Sequence, residues 1–157
     1  MNIPNLELAR SILLDETPLA HDCGSLCGAA CCQGNDHTGM LLFPGEETLY
    51  ESCTFGRILT GKETIGQQKT RVFVCRGTCP REQRPLSCRL FPLFLRFRDG
   101  VPRVRLDPRA HMCPLRRYGI AGLKQSFVER AEEVYNLLLQ DEDCADFLHG
   151  LDRAFSL

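Results

Sequence analysis

The stretch Cys23-Gly24-Ser25-Leu26-Cys27-Gly28-Ala29-Ala30-Cys31-Cys32 places four cysteines within ten residues and separates them with small side chains. On a helix, the i, i+4, i+8 spacing of Cys23, Cys27 and Cys31 would align three sulfurs along one face, although the two glycines weaken such a helix. A tight loop fits the same residues equally well. In either form the stretch is a dense cluster of thiols, and we expect the fold to be organised around it.

A second set of cysteines follows downstream: Cys75, Cys79, Cys88 and Cys113. Thiolate is a soft, anionic ligand, and four thiolates in a tetrahedron suit Zn²⁺ or an iron–sulfur cluster better than Mg²⁺ or Ca²⁺. The two sets together hold enough sulfur for two four-thiolate centres. Ligand type alone does not separate the two metals, so we take zinc as the first expectation and an iron–sulfur cluster as the alternative.

Burial in the core is the alternative interpretation of each thiol, because unligated cysteine often behaves as a small apolar residue. For the eight clustered cysteines, flanked by glycine and proline, we prefer metal binding. Cys53 and Cys144 stand apart from the clusters in predicted helices, and for these two we prefer burial. His21, His37 and His111 flank cysteine-rich segments and could replace a thiol, although isolated histidines are more often surface groups.

The amino-acid composition is that of an ordinary globular protein, apart from the cysteine content. We expect one domain over residues 1–157, with a metal region at about 20–115 and a helical part at about 119–155. The N-terminus does not read as a signal peptide and no apolar stretch is long enough to cross a bilayer, so we expect a cytoplasmic protein with no membrane partner. In a reducing compartment, clustered cysteines more often hold metal than form disulfides. The formal net charge of −1 gives no general case for nucleic acid, and a protein partner stays open.

Hydrophobic periodicity and turn signals predict an α+β domain, with a short antiparallel sheet, a cysteine-rich loop region and C-terminal helices that cover the sheet. Residues 60–69 are polar and are predicted to form a loop. The proline-rich segment 77–92 is expected to be held by ligands or contacts more than by regular hydrogen bonding. Helices are predicted at about 4–16, 46–51, 119–139 and 141–154, and in the first of them Leu8 and Ile12 widen the apolar face. Strands are predicted at 40–43 and 70–75. A hairpin is predicted at 91–106, with its turn at Asp99-Gly100 and with Pro102 on an edge strand.

Arginines lie beside the second set of thiols and along the predicted hairpin. Thiolate centres carry negative charge, and nearby guanidinium groups would offset that charge and donate hydrogen bonds to sulfur. Arg84 and Arg89 are therefore predicted to bind the cofactor, with Arg81 beside them; the alternative is that these arginines are solvated or pair with Glu82 and Asp99. The hairpin arginines and those that follow are more often the solvent side of a sheet than a site for an anionic partner; they are Arg96, Arg98, Arg103, Arg105, Arg109, Arg116 and Arg117.

Several of these motifs occur together in one known family. The run ending in Cys31-Cys32, Glu47 after a short apolar segment, Gly77-x-Cys79, and Arg84-Pro-x-x-Cys-Arg-x-Phe-Pro92 with Cys113 beyond it resemble the CxxCxxCC, or YkgJ-type, cysteine-cluster family. That family is regarded as a zinc- or iron-chelating domain, and flagellin lysine-N-methylase carries a related cluster. The resemblance covers about residues 20–115 and implies a metal domain without supplying a reaction. The chain departs from the family pattern in having three residues, not two, between its first cysteines.

The sequence therefore predicts a metal-binding protein with a structural, storage or transfer role. It contains no P-loop, HExxH, G-x-S-x-G or dinucleotide fingerprint. One alternative is an iron–sulfur redox or methyltransferase-like enzyme, in which Glu46 or Glu47 is the non-thiol candidate for a ligand or proton acceptor; the simpler interpretation of this pair is that the acids start a helix. A second alternative is a zinc-stabilised nucleic-acid or protein interaction module that uses the arginine-rich hairpin.

Overall fold

A computed structural model describes residues 3–20, 39–77 and 79–156, and these residues form a small α+β fold. The described helices are α1 (Ile3–Ile12), α2 (Leu86–Leu90), α3 (Gln125–Leu138) and α4 (Glu142–Phe155). The described strands are β1 (Met40–Leu41), β2 (Gly56–Ile65), β3 (Gln68–Cys75), β4 (Leu93–Arg98) and β5 (Val101–Leu106). The predicted fold class is confirmed.

Helix α1 packs on the rest of the fold through a narrower apolar face than its sequence suggested. Leu6, Ala9 and Leu13 are buried, as their helical spacing predicted. The prediction was wrong for Leu8, which is 51% exposed, and the regular helix ends at Ile12, where i→i−3 turns begin. The Glu16 carboxylate accepts hydrogen bonds from the side chains of Lys124 and Ser126, which attaches the end of this helical segment to the start of α3.

The first sheet has the order β1-β3-β2 and is antiparallel throughout. The prediction of a loop over 60–69 was wrong, because these residues form the ends of β2 and β3 around a two-residue turn at Gly66-Gln67. Their side chains are polar because most of them face solvent. Gly66 has a positive φ of 60°, and the Gln67 amide donates to the Asp146 carboxylate at 2.7 Å, so the turn lies directly on α4.

The predicted 40–43 and 70–75 strands are found with different lengths. Only Met40 and Leu41 pair with β3, while Leu42 and Phe43 continue as buried residues outside the ladder. The 3₁₀ helix Glu46–Leu49 follows, which confirms that the acidic pair starts a short helix.

The second sheet is the predicted hairpin of β4 and β5, with Leu93 opposite Leu106 and Arg98 opposite Val101. Asp99 and Gly100 both have positive φ, which is the requirement of a type I′ turn. Pro102 lies on β5, an edge strand in this two-stranded sheet, as expected.

The C-terminal part contains two helices that cover the hairpin. The predicted helix over 119–139 begins too early, because 3₁₀ turns at Pro114–Tyr118 and Ile120–Gly122 precede α3 and Gly119 has a φ of 66°. Leu123 is buried all the same. The last helix is confirmed, and the Asp141 carboxylate caps it by accepting from the Cys144 amide at 3.0 Å.

Two apolar clusters hold these elements together. The larger cluster, which we call the main core, joins α1, α2, the hairpin and both C-terminal helices. The smaller cluster contains Leu42, Tyr50 and Phe73. Cys144 is fully buried in α4, as predicted, whereas Cys53 is half-buried and lies outside any described helix, where its thiol contacts the Gly56 carbonyl. Among the described helices, none combines the length and apolar character needed to span a membrane.

Candidate metal centre

Half of the predicted metal ligands lie in the described part of the chain. Cys75 ends β3, Cys79 follows four residues later, Cys88 lies within α2, and Cys113 follows the 3₁₀ turn Ala110–Met112. All four side chains are half-buried, unlike the fully buried Cys144. The other predicted ligands lie outside the described residues, as do His21 and His37; these ligands are Cys23, Cys27, Cys31 and Cys32.

The described thiols approach one another only in part. Cys75 packs against the small cluster around Tyr50, and the Cys88 thiol is close enough to act electrostatically on the Tyr50 hydroxyl. Cys113 instead packs against the larger core, and His111 is exposed. Within residues 3–20, 39–77 and 79–156, no three cysteine, histidine or acidic side chains form a group that could hold a metal ion.

The buried Glu46 carboxylate caps the helix that carries Cys88. Its side chain is fully buried, and its two oxygens accept hydrogen bonds from the amides of Phe43 at 3.0 Å and Leu86 at 2.6 Å. Leu86 is the first residue of α2, so the carboxylate satisfies one of the amides that a helix leaves without an internal partner. Burial raises the pKa of Glu46, while these two amides and the positive charges of Arg10 and Arg89 act in the opposite direction.

Arg89 organises the chain on the other side of Cys88. Its side chain is only 6% exposed. Four of its five N–H groups donate to carbonyl oxygens: to Arg84 at 2.9 Å, Arg10 at 3.1 Å, Arg81 at 3.0 Å and Glu82 at 2.9 Å. Burial lowers its pKa, and the neighbouring Arg10 lowers it further. Arg89, which was predicted to bind the cofactor, therefore uses most of its N–H donors to hold α1 and segment 81–84 together.

Sequence reasoning missed two residues that complete this network. Arg10 donates to the Glu82 carbonyl at 3.1 Å, and its guanidinium lies 5.7 Å from the centre of the Tyr50 ring. The Tyr50 hydroxyl donates to the Gln83 carbonyl at 2.8 Å. Burial raises the pKa of Tyr50, and the nearby Glu46 carboxylate is the next largest influence in the same direction. These partners are 33 to 72 residues apart in sequence, and no local pattern indicates such contacts.

Together these contacts fix Cys88 in place. A helix of five residues is far below the length that is stable alone in water, so α2 depends on its surroundings. Glu46 binds its first residue, the Ser87 hydroxyl donates to the Leu41 carbonyl, and Arg89 binds carbonyls of α1 and segment 81–84. The two residues that flank Cys88 are thus anchored to different elements, and the backbone that carries the thiol is held on both sides.

The described donors fit a metal centre chemically but supply only part of its ligands. Half-buried thiols on anchored backbone are suitable ligands for zinc or an iron–sulfur cluster. A four-sulfur centre that uses them needs further thiols from residues 23–32, the segment that the sequence analysis paired with them. Comparison of the chain with models of known protein families, with curated proteins and with solved structures finds no match.

Proposed function

We propose that this chain is a metal-binding protein in which cysteine thiolates from residues 23–32 and 75–113 hold zinc, or alternatively an iron–sulfur cluster. The observation that carries the proposal is the anchoring of Cys88 by Glu46, Ser87 and Arg89. Such a network costs conformational entropy to assemble, and it places a half-buried thiol where a ligand can reach it. Cys144 differs from Cys88 in being fully buried in the main core.

In this proposal each centre combines the two cysteine groups. The described residues contain no group of three donors, so a four-coordinate centre takes at least two ligands from the stretch that begins at Cys23. Cys75 packs against the small apolar cluster that contains Tyr50, and the Cys88 thiol acts electrostatically on Tyr50, so these two are the best candidates to share one centre. The bound ion would supply a strong cross-link between distant parts of the chain, and its binding free energy would also be folding free energy.

The role we favour is structural, storage or transfer, because Glu46, one of the two acidic candidates for catalysis, is already engaged. Both oxygens of Glu46 accept backbone hydrogen bonds, and the side chain is fully buried. A proton acceptor or an additional ligand would have to leave this position. The alternative of an iron–sulfur enzyme therefore rests on Glu47, on the cysteine content and on the resemblance to the YkgJ-type family.

The test is metal analysis of protein purified without oxygen, combined with substitution of the thiols. We expect stoichiometric zinc in a colourless protein, or iron and acid-labile sulfide in a brown one. The double variant Cys75→Ser/Cys88→Ser should lose at least one equivalent of metal. Cys144→Ala is the matched control, because it removes a thiol that is fully buried away from the proposed ligands, and it should keep the wild-type metal content.

Two results would contradict the proposal. One is a protein that takes up no zinc or iron under anaerobic reconstitution, although its circular dichroism spectrum is that of a folded domain. The other is an equal loss of metal from Cys144→Ala and from the double variant, since that would assign the loss to general destabilisation. Removal of metal by a chelator should also unfold the segment between Cys23 and Cys113, and an unchanged spectrum in a verified metal-free protein would exclude the structural role.

A further inference from the structure

The outer face of the β4–β5 hairpin concentrates arginine. Directly opposite residues on an antiparallel pair share a face, and Arg96 lies directly opposite Arg103. Because side chains alternate along a strand, Arg98 and Arg105 lie on this same face, two residues from Arg96 and Arg103 respectively. The opposite face carries Leu93, Leu95 and Val104, which are buried in the main core, and Phe97 and Leu106, which pack partly against it. Phe94 shares the arginines' face but is buried at the start of β4. We call the four-arginine surface the arginine face.

This arrangement is electrostatically unfavourable for the protein alone. Like charges directly opposite one another destabilise a sheet, and Arg96 is relieved by a single ion pair with Asp152 at 2.8 Å. In the part of the chain that the structure describes, no acidic side chain pairs with Arg98 or Arg103, and both are exposed. The arginine face therefore carries an uncompensated positive charge.

The surrounding chain adds to this charge instead of balancing it. Residues 93–124 contain eight arginines and lysines but only two aspartates, although the whole chain has a net charge of −1. One of those aspartates, Asp107, is already held by Arg109, whose Nε and Nη2 lie 2.9 and 2.7 Å from its two oxygens. Arg116 and Arg117 are exposed on the 3₁₀ turn that follows. The positive charge is thus concentrated in residues 93–124.

The arginine face also borders a cleft with apolar walls. An open cleft of about 580 Å³ is lined by the four arginines together with Phe97, Leu106 and Ile120. The ring of Phe97 is half-buried and stacks on the exposed His149 ring, with 3.8 Å between their centroids. All four charged groups are arginine, whose planar guanidinium binds phosphate through two hydrogen bonds and also stacks on planar rings. The combination of phosphate-binding groups and exposed ring surface is typical of proteins that bind unpaired nucleotides.

We propose that the arginine face and its cleft bind single-stranded nucleic acid. Arginines two positions apart on a strand are separated by about 6.7 Å, which is comparable with the separation of successive phosphates in an extended strand. The phosphates would lie along Arg98, Arg103 and Arg105, and bases would contact the cleft wall at Phe97 and Ile120. A duplex offers phosphates but keeps its base faces stacked, so it would use only half of this surface. The proposal does not depend on metal binding.

The test is fluorescence anisotropy of the full-length protein with labelled twelve-residue oligouridylate, oligothymidylate and a duplex of equal length. The single strands should bind more tightly than the duplex, with affinity that falls as salt increases. The variant Arg98→Gln/Arg103→Gln should bind about tenfold more weakly at low salt, and its slope of log affinity against log salt should be shallower by about 1.4, or about 0.7 for each lost phosphate contact.

Lys62→Gln/Lys69→Gln is the matched control, because it removes two exposed positive charges from β2 and β3, outside the arginine face. It should bind like the wild type. Thermal unfolding should show that Arg98→Gln/Arg103→Gln is as stable as the wild type, since it also removes the repulsion between Arg96 and Arg103. Equal weakening by both variants, tighter binding of the duplex, or full displacement by polyglutamate at equal charge concentration would each overturn the proposal.

Discussion

Substitution of Arg89 tests whether the fold around Cys88 depends on the hydrogen bonds that this side chain donates to four backbone carbonyls. Arg89→Met keeps most of the side-chain volume but removes all four hydrogen bonds to the carbonyls of residues 10, 81, 82 and 84. A hydrogen bond to a charged group contributes about 1.5–3 kcal/mol, and a typical one about 1 kcal/mol. These carbonyls are only partly buried and can be rehydrated, so we use the lower value for each bond.

The expected loss is then about 3–4 kcal/mol of unfolding free energy, slightly offset because the variant removes the repulsion between Arg89 and Arg10. Arg89→Lys should lose about 2 kcal/mol, because an ammonium group keeps the charge but cannot reach all four carbonyls that surround the edge of the planar guanidinium. Against a typical domain stability of about 5–15 kcal/mol, the first loss is large enough to leave a marginal fold.

The assay is urea denaturation followed by circular dichroism, under reducing conditions and at equal metal content. Arg98→Met serves as the control, because Arg98 is exposed and its substitution should change stability by no more than about 0.5 kcal/mol. If Arg89→Met loses no more stability than Arg98→Met, or if Arg89→Lys behaves like the wild type, the network does not stabilise the fold as we argue.

Two further predictions concern α4 and Glu46. A Cβ at Gly150 would overlap the backbone nitrogen of Gly66, so Gly150→Ala should lose about 1–3 kcal/mol of unfolding free energy in urea denaturation, although alanine has the better helix propensity. Its control, Ala154→Gly on the exposed side of the same helix, should lose no more than about 1 kcal/mol. A Gly150→Ala variant more stable than the wild type would contradict this packing. Because burial raises the pKa of Glu46 above its ordinary value of 4.5, the folded protein retains a proton that the unfolded chain has released, and the stability of the wild type relative to Glu46→Gln should fall as pH rises from about 4.5; a relative stability that rises with pH would refute the raised pKa.

Local signals account for the parts of the fold that the sequence predicted well. Asp99-Gly100 between two alternating segments identifies the hairpin without any long-range information, because its turn requires two residues with positive φ. The last helix was predicted from the periodic apolar residues of 141–154, and the structure adds the cap by Asp141. In contrast, the end of β2 has the exposed polar sequence Lys62-Glu63-Thr64, which shows no alternation. The register with β3 shifts after Thr60 and resumes at Thr64, an irregularity that no local pattern predicts.

The candidate site could be predicted only as a set of ligand types. The cysteine clustering indicates metal binding, but the contacts that hold Cys88 join residues far apart in sequence, such as Arg10 and Arg89. The interpretation of Glu46 as a helix-starting acid was correct for its own 3₁₀ helix, yet its more important contact is with Leu86, forty residues later. Net charge was uninformative for the hairpin, because an acidic remainder of the chain hides the arginine-rich segment in the total.

The proposed metal ligand Cys88 and the arginine face lie on consecutive elements, α2 and the β4–β5 hairpin, and this order has a physical basis. Helix α2 leads directly into β4, so the contacts that anchor Cys88 also fix the start of the arginine-rich hairpin. An isolated two-stranded hairpin is marginal in water, and one with opposed arginines is less stable still. Leu93, Leu95 and Val104 compensate by packing against the main core. Because the inner face supplies the stability, the outer face can keep mutually repelling charges, and a bound polyanion would remove that repulsion.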